Sequence, residues 1–449
     1  MKSPHLVLSL GALTTALSIP SPLQQLLSGN GFTTLQKNLD IQKPSSNNLT
    51  HIIDSSPLLS FHRDITKIES ISGNEKKVGS FIIDFLSSHN FTVEKQIVEP
   101  QYDTTPERFN IYAYIGEDRH PDIILTSHID TVPPFIPYSL HAPTNSESSP
   151  DSASFVREDL LIAGRGSVDA KASVAAIVFA ALETLAEKPS TSLGLLLDVG
   201  EENSGAGMKA FSGSDLNPSP SSFHTIIFGE PTNLSLIAGH KGALGFRLVA
   251  TGKAAHSGYP WLGKSAISAI LPVLSHLDTL QATPSEEGGL LRSDILGNST
   301  LNIGTVIGGV ANNVVPASAE AGIAIRLAAG TPDDTRQIIQ KAVEDVTGGD
   351  GSVYADFETY KGGFAPQHLD ADVDGFEVIT VNYGTDVPAL EVHEREGGGR
   401  VKRYLYGPGS FYVPHSSREA ITVGEIEKAV KGYKKLIEVA AERHQSGLE

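Results

Sequence analysis

Three apolar runs in this chain each lead into residues of the types that can bind metal ions. Ile123-Ile124-Leu125 runs toward His128 and Asp130, Leu195-Leu196-Leu197 toward Glu201 and Glu202, and Ile226-Ile227-Phe228 toward Glu230. If the runs are parallel strands, their carboxyl ends open onto one crevice where residues far apart in sequence converge. With Asp169 and a late His415, the set amounts to a two-metal hydrolase site, in which paired cations activate a water. The chain has no cysteine, which removes thiolate ligands, thiol nucleophiles and a disulfide framework, so any zinc must be held by His and carboxylates.

Taken singly, most of these residues have ordinary explanations. In Ser127-His128-Ile129-Asp130, strand alternation puts His128 and Asp130 on the same side, so the Asp130 carboxylate can accept the imidazole N–H and fix the tautomer. A buried His with a satisfied hydrogen bond is the commoner meaning of such a tetrapeptide. Asp169, after a Gly-rich turn and before an apolar helix, suits an N-cap. Glu230, in Gly229-Glu230-Pro231, suits a loop charge, and His415, in Pro414-His415-Ser416-Ser417, an exposed loop imidazole. Glu201-Glu202 is harder to explain away, because adjacent carboxylates ending an apolar strand repel and need cations or protons to offset them. It is the ensemble that points to metal chemistry.

The elements that must position these residues follow from spacing. Leu58 to Ile68 and Val78 to Leu86 repeat a 3.6-residue apolar stripe and read as helices; 91–98 and 109–115 read as strands; Lys171 to Leu185 reads as an alanine-rich helix packed on a sheet. Tyr138 to Asp159 is a Pro- and Ser-rich loop. Strand, ligand and helix alternate, so the fold class is α/β with a mostly parallel sheet. Beyond Pro231 the texture changes to strand 243–251, helix 265–280, strands 301–309 and 319–327, and helix 333–346, a compact α+β insert. The chain then returns to apolar runs, His415 and a final amphipathic helix over 424–441. The reading divides the protein into a catalytic part at 56–236, an inserted lid or dimerisation domain at 237–353, and a second catalytic part at 354–449. A chain of 449 residues exceeds one hydrophobic core, as this division requires.

At the N-terminus, Lys2, the apolar stretch Leu6–Leu13 and the small residues Ala16 and Ser18 have the layout of a secretory signal over 1–18, with a leader or pro-segment at 19–55. Acceptor sequons at Asn48, Asn90, Asn233 and Asn298 fit a glycosylated, secreted protein. A net charge of −18, from 52 acidic against 34 basic residues, disfavours nucleic-acid and anionic-membrane partners.

The ordered set S-H-I-D (127–130), G-R-G-S-V-D-A-K (164–171), E-E (201–202), G-E-P (229–231), A-A-H-S-G (254–258) and P-H-S (414–416) resembles the aminoacylase, acetylornithine deacetylase and carboxypeptidase G family of dinuclear zinc amidohydrolases, from about residue 56 onward. The resemblance implies two Zn2+ per subunit: His128, Asp169 and Glu230 on one, Asp169, Glu202 and His415 on the other. It implies that Asp130 orients His128, that Glu201 is the catalytic base and that the Asp169–Ala170 peptide is cis. It further implies that His256 stabilises an oxyanion, often across a homodimer, and that Asn313 and Arg326 hold a substrate carboxylate. Two features depart from the family pattern: Ala170-Lys171-Ala172 lacks a glycine common there, and His415-Ser416-Ser417-Arg418 lacks the acidic residue that commonly follows. The expected activity is cleavage of an amide bond beside a free carboxylate, as a carboxypeptidase on small peptides or alternatively an N-acyl-amino-acid deacylase. A zinc aminopeptidase or a non-catalytic binding relative ranks lower.

Overall fold

The computed structural model describes residues 46–99, 107–117, 119–143, 155–359 and 362–446. The expected signal and the leader up to residue 45 lie outside these residues. Met1–Leu49 and Thr50–Glu449 separate as two units, and of the first only the start of one helix is described.

That helix, α1 (Ser46–Asp54), lies within the stretch expected as leader and carries the fully buried Ile53. Helix α2 (Pro57–Lys67) follows, started by the Ser56 hydroxyl accepting the Leu59 N–H and by Pro57 in the first turn. Next come α3 (Lys76–Ser88), the strands β1 (Thr92–Val98), β2 (Arg108–Tyr114), β3 (Ile123–His128), β4 (Ser139–His141) and β5 (Leu161–Ala163), and helix α4 (Lys171–Glu187). Then follow β6 (Leu193–Asp198), α5 (Ala206–Ser212), β7 (Thr225–Gly229) and β8 (Leu236–His240). The strand β4 lies within the stretch expected to be loop, where it pairs with β5.

The main sheet has six strands in the order β1-β2-β6-β3-β7 and a late strand, with β6, β3 and β7 parallel and β1 and β2 antiparallel at one edge. Both faces are covered, which is why the strands read as unbroken apolar runs. Ile123, Leu125, Leu195, Leu197 and Ile227 pack with α4 and its neighbours, whereas Ile124, Leu196, Ile226 and Phe228 join Met208 and Phe211 of α5 on the other face. Each buried aliphatic side chain contributes about 1.5–3 kcal/mol, and a one-residue slip would invert the faces and misplace every strand-end ligand.

The insert is built from β9 (Gly242–Thr251), α6 (Ala266–Thr279), a ribbon of β10 (Arg292–Ser293) and β11 (Gly297–Asn298), β12 (Thr300–Gly308), β13 (Ser318–Leu327), α7 (Pro332–Thr347) and β14 (Val353–Asp356). Its antiparallel sheet runs β12-β13-β9-β14 and shares an apolar core with the two helices. A capping box between Thr331 and Asp334 starts α7, and Gly348 in the left-handed region ends it. Beside the expected limits 237 and 353, the strands of the lid sheet run from Gly242 to Asp356. Strand β8 pairs with β15 (Gln367–His368) and β16 (Val378–Val381) rather than with the lid sheet, and β14 carries that sheet on to Asp356. At the junction, a Cβ on Gly242 would lie 2.2 Å from the Phe364 carbonyl oxygen, so its glycine serves close backbone approach.

The chain closes with β17 (Lys402–Tyr406), the parallel sixth strand beside β7, then β18 (Ala420–Thr422) and the long helix α8 (Val423–Ser446), which packs on α4. Among the described residues no helix is long and apolar enough to cross a membrane.

Candidate metal centre

The carboxyl ends of the central strands deliver the ligands. His128 is the last residue of β3, Glu201 and Glu202 follow β6 by a short turn, and Glu230 directly follows β7. Asp169 ends the turn before α4, with a cis peptide to Ala170 as expected, and His415 sits in the loop after β17 with φ +63°.

These residues form two triads that share Asp169. In one, His128 Nε2 lies 3.1 Å from Asp169 Oδ1 and 3.8 Å from Glu230 Oε1. In the other, His415 Nε2 lies 3.3 Å from Asp169 Oδ2 and 2.9 Å from Glu202 Oε2. Within each triad one donor atom per residue falls within 4.8 Å of the others. His128 is buried, and His415 keeps 56% of its side-chain surface. The His128 Nδ1–H donates to the Asp130 carbonyl at 3.0 Å, which turns the Nε2 lone pair toward two carboxylates. Such an arrangement needs a proton or a cation between the groups. The donor set therefore fits two divalent ions, which His128, Asp169 and Glu230 and, separately, Asp169, Glu202 and His415 would hold.

Asp130 does more than the sequence suggests, and by a different route. Its backbone carbonyl is the nearer acceptor for His128, while its carboxylate stands 3.5 Å from Nδ1. That carboxylate accepts from the Gly200 N–H at 2.8 Å, the Glu201 N–H at 3.2 Å and the Ser72 hydroxyl at 2.6 Å. One residue thus holds both the first histidine ligand and the turn that presents Glu201. Gly200 in that turn has φ +80°, and a Cβ there would lie 2.5 Å from the Arg108 guanidinium.

The charge pattern follows from burying many acids together. Burial pushes Glu201 well up, and the charges of Glu230, Glu202 and Asp169 add to this against the pull of His128. Burial likewise raises Glu202, and raises Glu230 to about 7. His415 is raised to about 10 by its contacts with Asp169 and Glu202. Burial opposes charge on His128, but Glu230, Asp130 and Asp169 outweigh it, and its pKa rises. Asp169 moves down, because the two imidazoles overcome its burial. Without metal, the site holds its acids together with protons.

Asp169, Glu201, Glu202, Glu230 and His415 line a cleft of about 720 Å³. Arg326 reaches the same cleft from β13 and makes no ion pair among the described residues. His256 and Asn313 do not line it. They are neighbours on the lid, where the Ser257 N–H donates to the Asn313 carbonyl at 3.0 Å and both side chains are exposed. The described part of the Tyr138–Asp159 stretch does not line the cleft either. Asn90, Asn233 and Asn298 are exposed, and the Asn48 side chain lies outside the described ones.

Several supporting residues were assigned no role by the sequence. Glu419 accepts the Val168 and Asp169 N–H groups at 3.1 and 3.2 Å and pairs with buried Arg165 at 2.6 Å. It supplies an acidic group after His415, four positions on, where the sequence reading found none. Buried Lys171 donates to the Ile65 and Ile68 carbonyls, tying the start of α4 to the end of α2. Asp198 and Asp386 are both buried and close enough for each to shift the other. Burial raises both, and their proximity makes a shared proton the stable arrangement.

A two-layer lid beside an α/β sheet, with acid and imidazole triads at the strand ends, has the donor set of a two-metal hydrolase. Residues 238–350 match the peptidase dimerisation domain of the M20 family. A protein of Aspergillus flavus described as a probable carboxypeptidase is 69% identical over 392 residues, covering 87% of this chain and 92% of that protein. Among solved structures, a Staphylococcus aureus tripeptidase superposes with a TM-score of 0.64 at 17% identity, covering 87% of this chain and all of that one. An M20 family metallo-carboxypeptidase of Sulfolobus solfataricus gives 0.59 at 17% identity, covering 86% and 99%. This chain belongs to the M20 metallopeptidase family, alongside the Aspergillus probable carboxypeptidases.

Proposed function

We propose that this protein is a secreted dinuclear zinc carboxypeptidase that releases C-terminal amino acids from small peptides. The observation that carries the reading is one cleft holding two triads joined at Asp169, Glu201 beside them, and the Arg326 guanidinium on the lid side. His128, Asp169 and Glu230 would hold one ion, and Asp169, Glu202 and His415 the other. When bound, the ions supply Lewis-acid polarisation of the scissile carbonyl and acidify the attacking water.

The chain's own residues do the rest. Glu201, which lines the cleft beside both triads, takes the proton of the attacking water and delivers it to the leaving nitrogen. Arg326 anchors the free carboxylate as a bidentate partner, and Asn313 would complete that contact. His256 donates to the developing oxyanion. Because His256 and Asn313 lie away from their own cleft, we assign them to the cleft of a second copy. Tyr259, Trp261, Leu262, Val306, Ile307 and Val310 are exposed on the same domain and suit a homodimer contact. The signal layout and the exposed sequons favour secretion and glycosylation.

The alternative is an N-acyl-amino-acid deacylase, whose substrate also carries an amide beside a carboxylate. Mass-spectrometric turnover of mixed peptides and N-acetyl amino acids by the zinc-loaded protein, with Glu201→Ala as blank, separates the two. Loss of C-terminal residues supports the carboxypeptidase, whereas acetate release with peptides untouched moves the protein to the alternative.

A further inference from the structure

We propose that an aromatic strip of Phe411, Tyr383 and Phe364 selects the substrate's C-terminal side chain, making the enzyme selective for peptides that end in an aromatic or large aliphatic residue. The inference rests on the preceding reading that Arg326 holds the terminal carboxylate.

The strip runs from the metal centre to Arg326. Phe411 lies four residues before His415 in the same loop, and its ring centroid is 6.3 Å from that of Tyr383. The Tyr383 hydroxyl donates to the Pro231 carbonyl at 2.7 Å, next to the ligand Glu230, so its polar end is satisfied and its ring carbons remain for contact. At the next residue, a Cβ on Gly384 would lie 2.7 Å from Phe364 Cζ and 3.5 Å from an Arg326 guanidinium nitrogen. The ring tip of Phe364 and the carboxylate anchor therefore meet at Gly384, and all three rings line the cleft. A residue held at Arg326 with its amide toward Asp169 has its side chain against this strip.

The polar groups of the cleft point the same way. Its carboxylates are the triads, Glu201 and Asp386, and Asp386 is buried, so none stands exposed to pair with a basic side chain. The second lining cation, Lys209, donates to the Ser204 carbonyl at 2.6 Å. An acidic side chain would meet the crowded carboxylates.

The test is kcat/KM for N-blocked dipeptides that share one penultimate residue and end in Phe, Leu, Ala, Asp or Lys, with the matching N-acetyl amino acids run in parallel. The expected result is a preference for Phe and Leu over Ala of about tenfold or more, with Asp and Lys lowest. Phe411→Ala and Phe364→Ala should move the Phe/Ala ratio toward one, mainly through KM, and Phe411→Leu should restore part of it. A ratio unchanged in both alanine variants, or a wild-type preference for Asp or Lys, overturns the proposal. If only the N-acetyl series turns over, the carboxypeptidase reading fails, yet the Phe/Ala ratio within that series still decides the role of the strip.

Discussion

Asp130 and Glu201 are joined through the backbone: the carboxylate that accepts the Glu201 N–H at 3.2 Å belongs to the residue whose carbonyl accepts the His128 ring N–H at 3.0 Å. A metal ligand and the proposed base therefore share one support. Asp130→Ala should lower metal affinity or turnover by about 10- to 100-fold, and it should also loosen the Glu201 turn. Zinc titration together with kcat on the same variant checks both effects. Metal affinity and turnover close to wild type would show that the support is redundant.

Glu201 and Asp169 should separate chemistry from metal binding. Glu201→Gln is expected to keep both ions and lose about 10²- to 10⁴-fold in kcat. Asp169→Ala should lose metal, since it serves both triads. Metal content by mass spectrometry and steady-state rates decide the matter, and an active Glu201→Gln would reassign the base.

Without metal, the site's own contribution to stability should shrink as pH rises, while buried His62, His240 and Lys171, lowered to about 4, 4 and 7, act in the opposite sense. Glu230, with an ordinary value of 4.5, is raised to about 7, and His415, ordinarily 6.5, to about 10. These two groups therefore bind more protons in the folded than in the unfolded state between these limits, and the stability they contribute is lost from about pH 4.5 upward through about pH 10. Asp169 is shifted down and acts only below its ordinary 3.8. Zinc needs deprotonated ligands, so the loaded protein should show the opposite trend up to neutrality. Melting temperatures of chelated and loaded samples from pH 5 to 9 should diverge, and parallel curves would contradict the assignment.

Action of His256 across a dimer predicts complementation. His256→Ala and Glu201→Ala should each be nearly inactive alone. Mixed after subunit exchange, they should recover about a quarter of wild-type activity, because half the dimers are mixed and each has one complete site. No recovery from dimers shown to have exchanged would place His256 outside the reaction.

The buried Arg108–Glu75 pair, 2.6 Å apart and 1% exposed on each side, lies beneath the Gly200 turn. Glu75→Ala leaves an uncompensated guanidinium and should cost about 3–5 kcal/mol. Denaturant unfolding measures this, and a loss under 1 kcal/mol would mean that the pair contributes little.

The sequence by itself determined the ligand types, the strand ends that carry them and the division into sheet and lid. Those features depend on local periodicity and on apolar runs, which a sheet covered on both faces leaves unbroken. The cis Asp169–Ala170 peptide came from the family resemblance rather than from the spacing. Tertiary structure alone decided the rest, because those contacts join residues far apart in sequence. Glu419 reaches back 250 positions to the Asp169 N–H, and Asp130 reaches 70 to the Gly200 N–H. The meeting of Phe364 and Arg326 at Gly384 exists only once the lid returns to the sheet. The same holds for His256, whose distance from its own cleft follows from the three-dimensional placement of the lid loop and is invisible in the A-A-H-S-G motif.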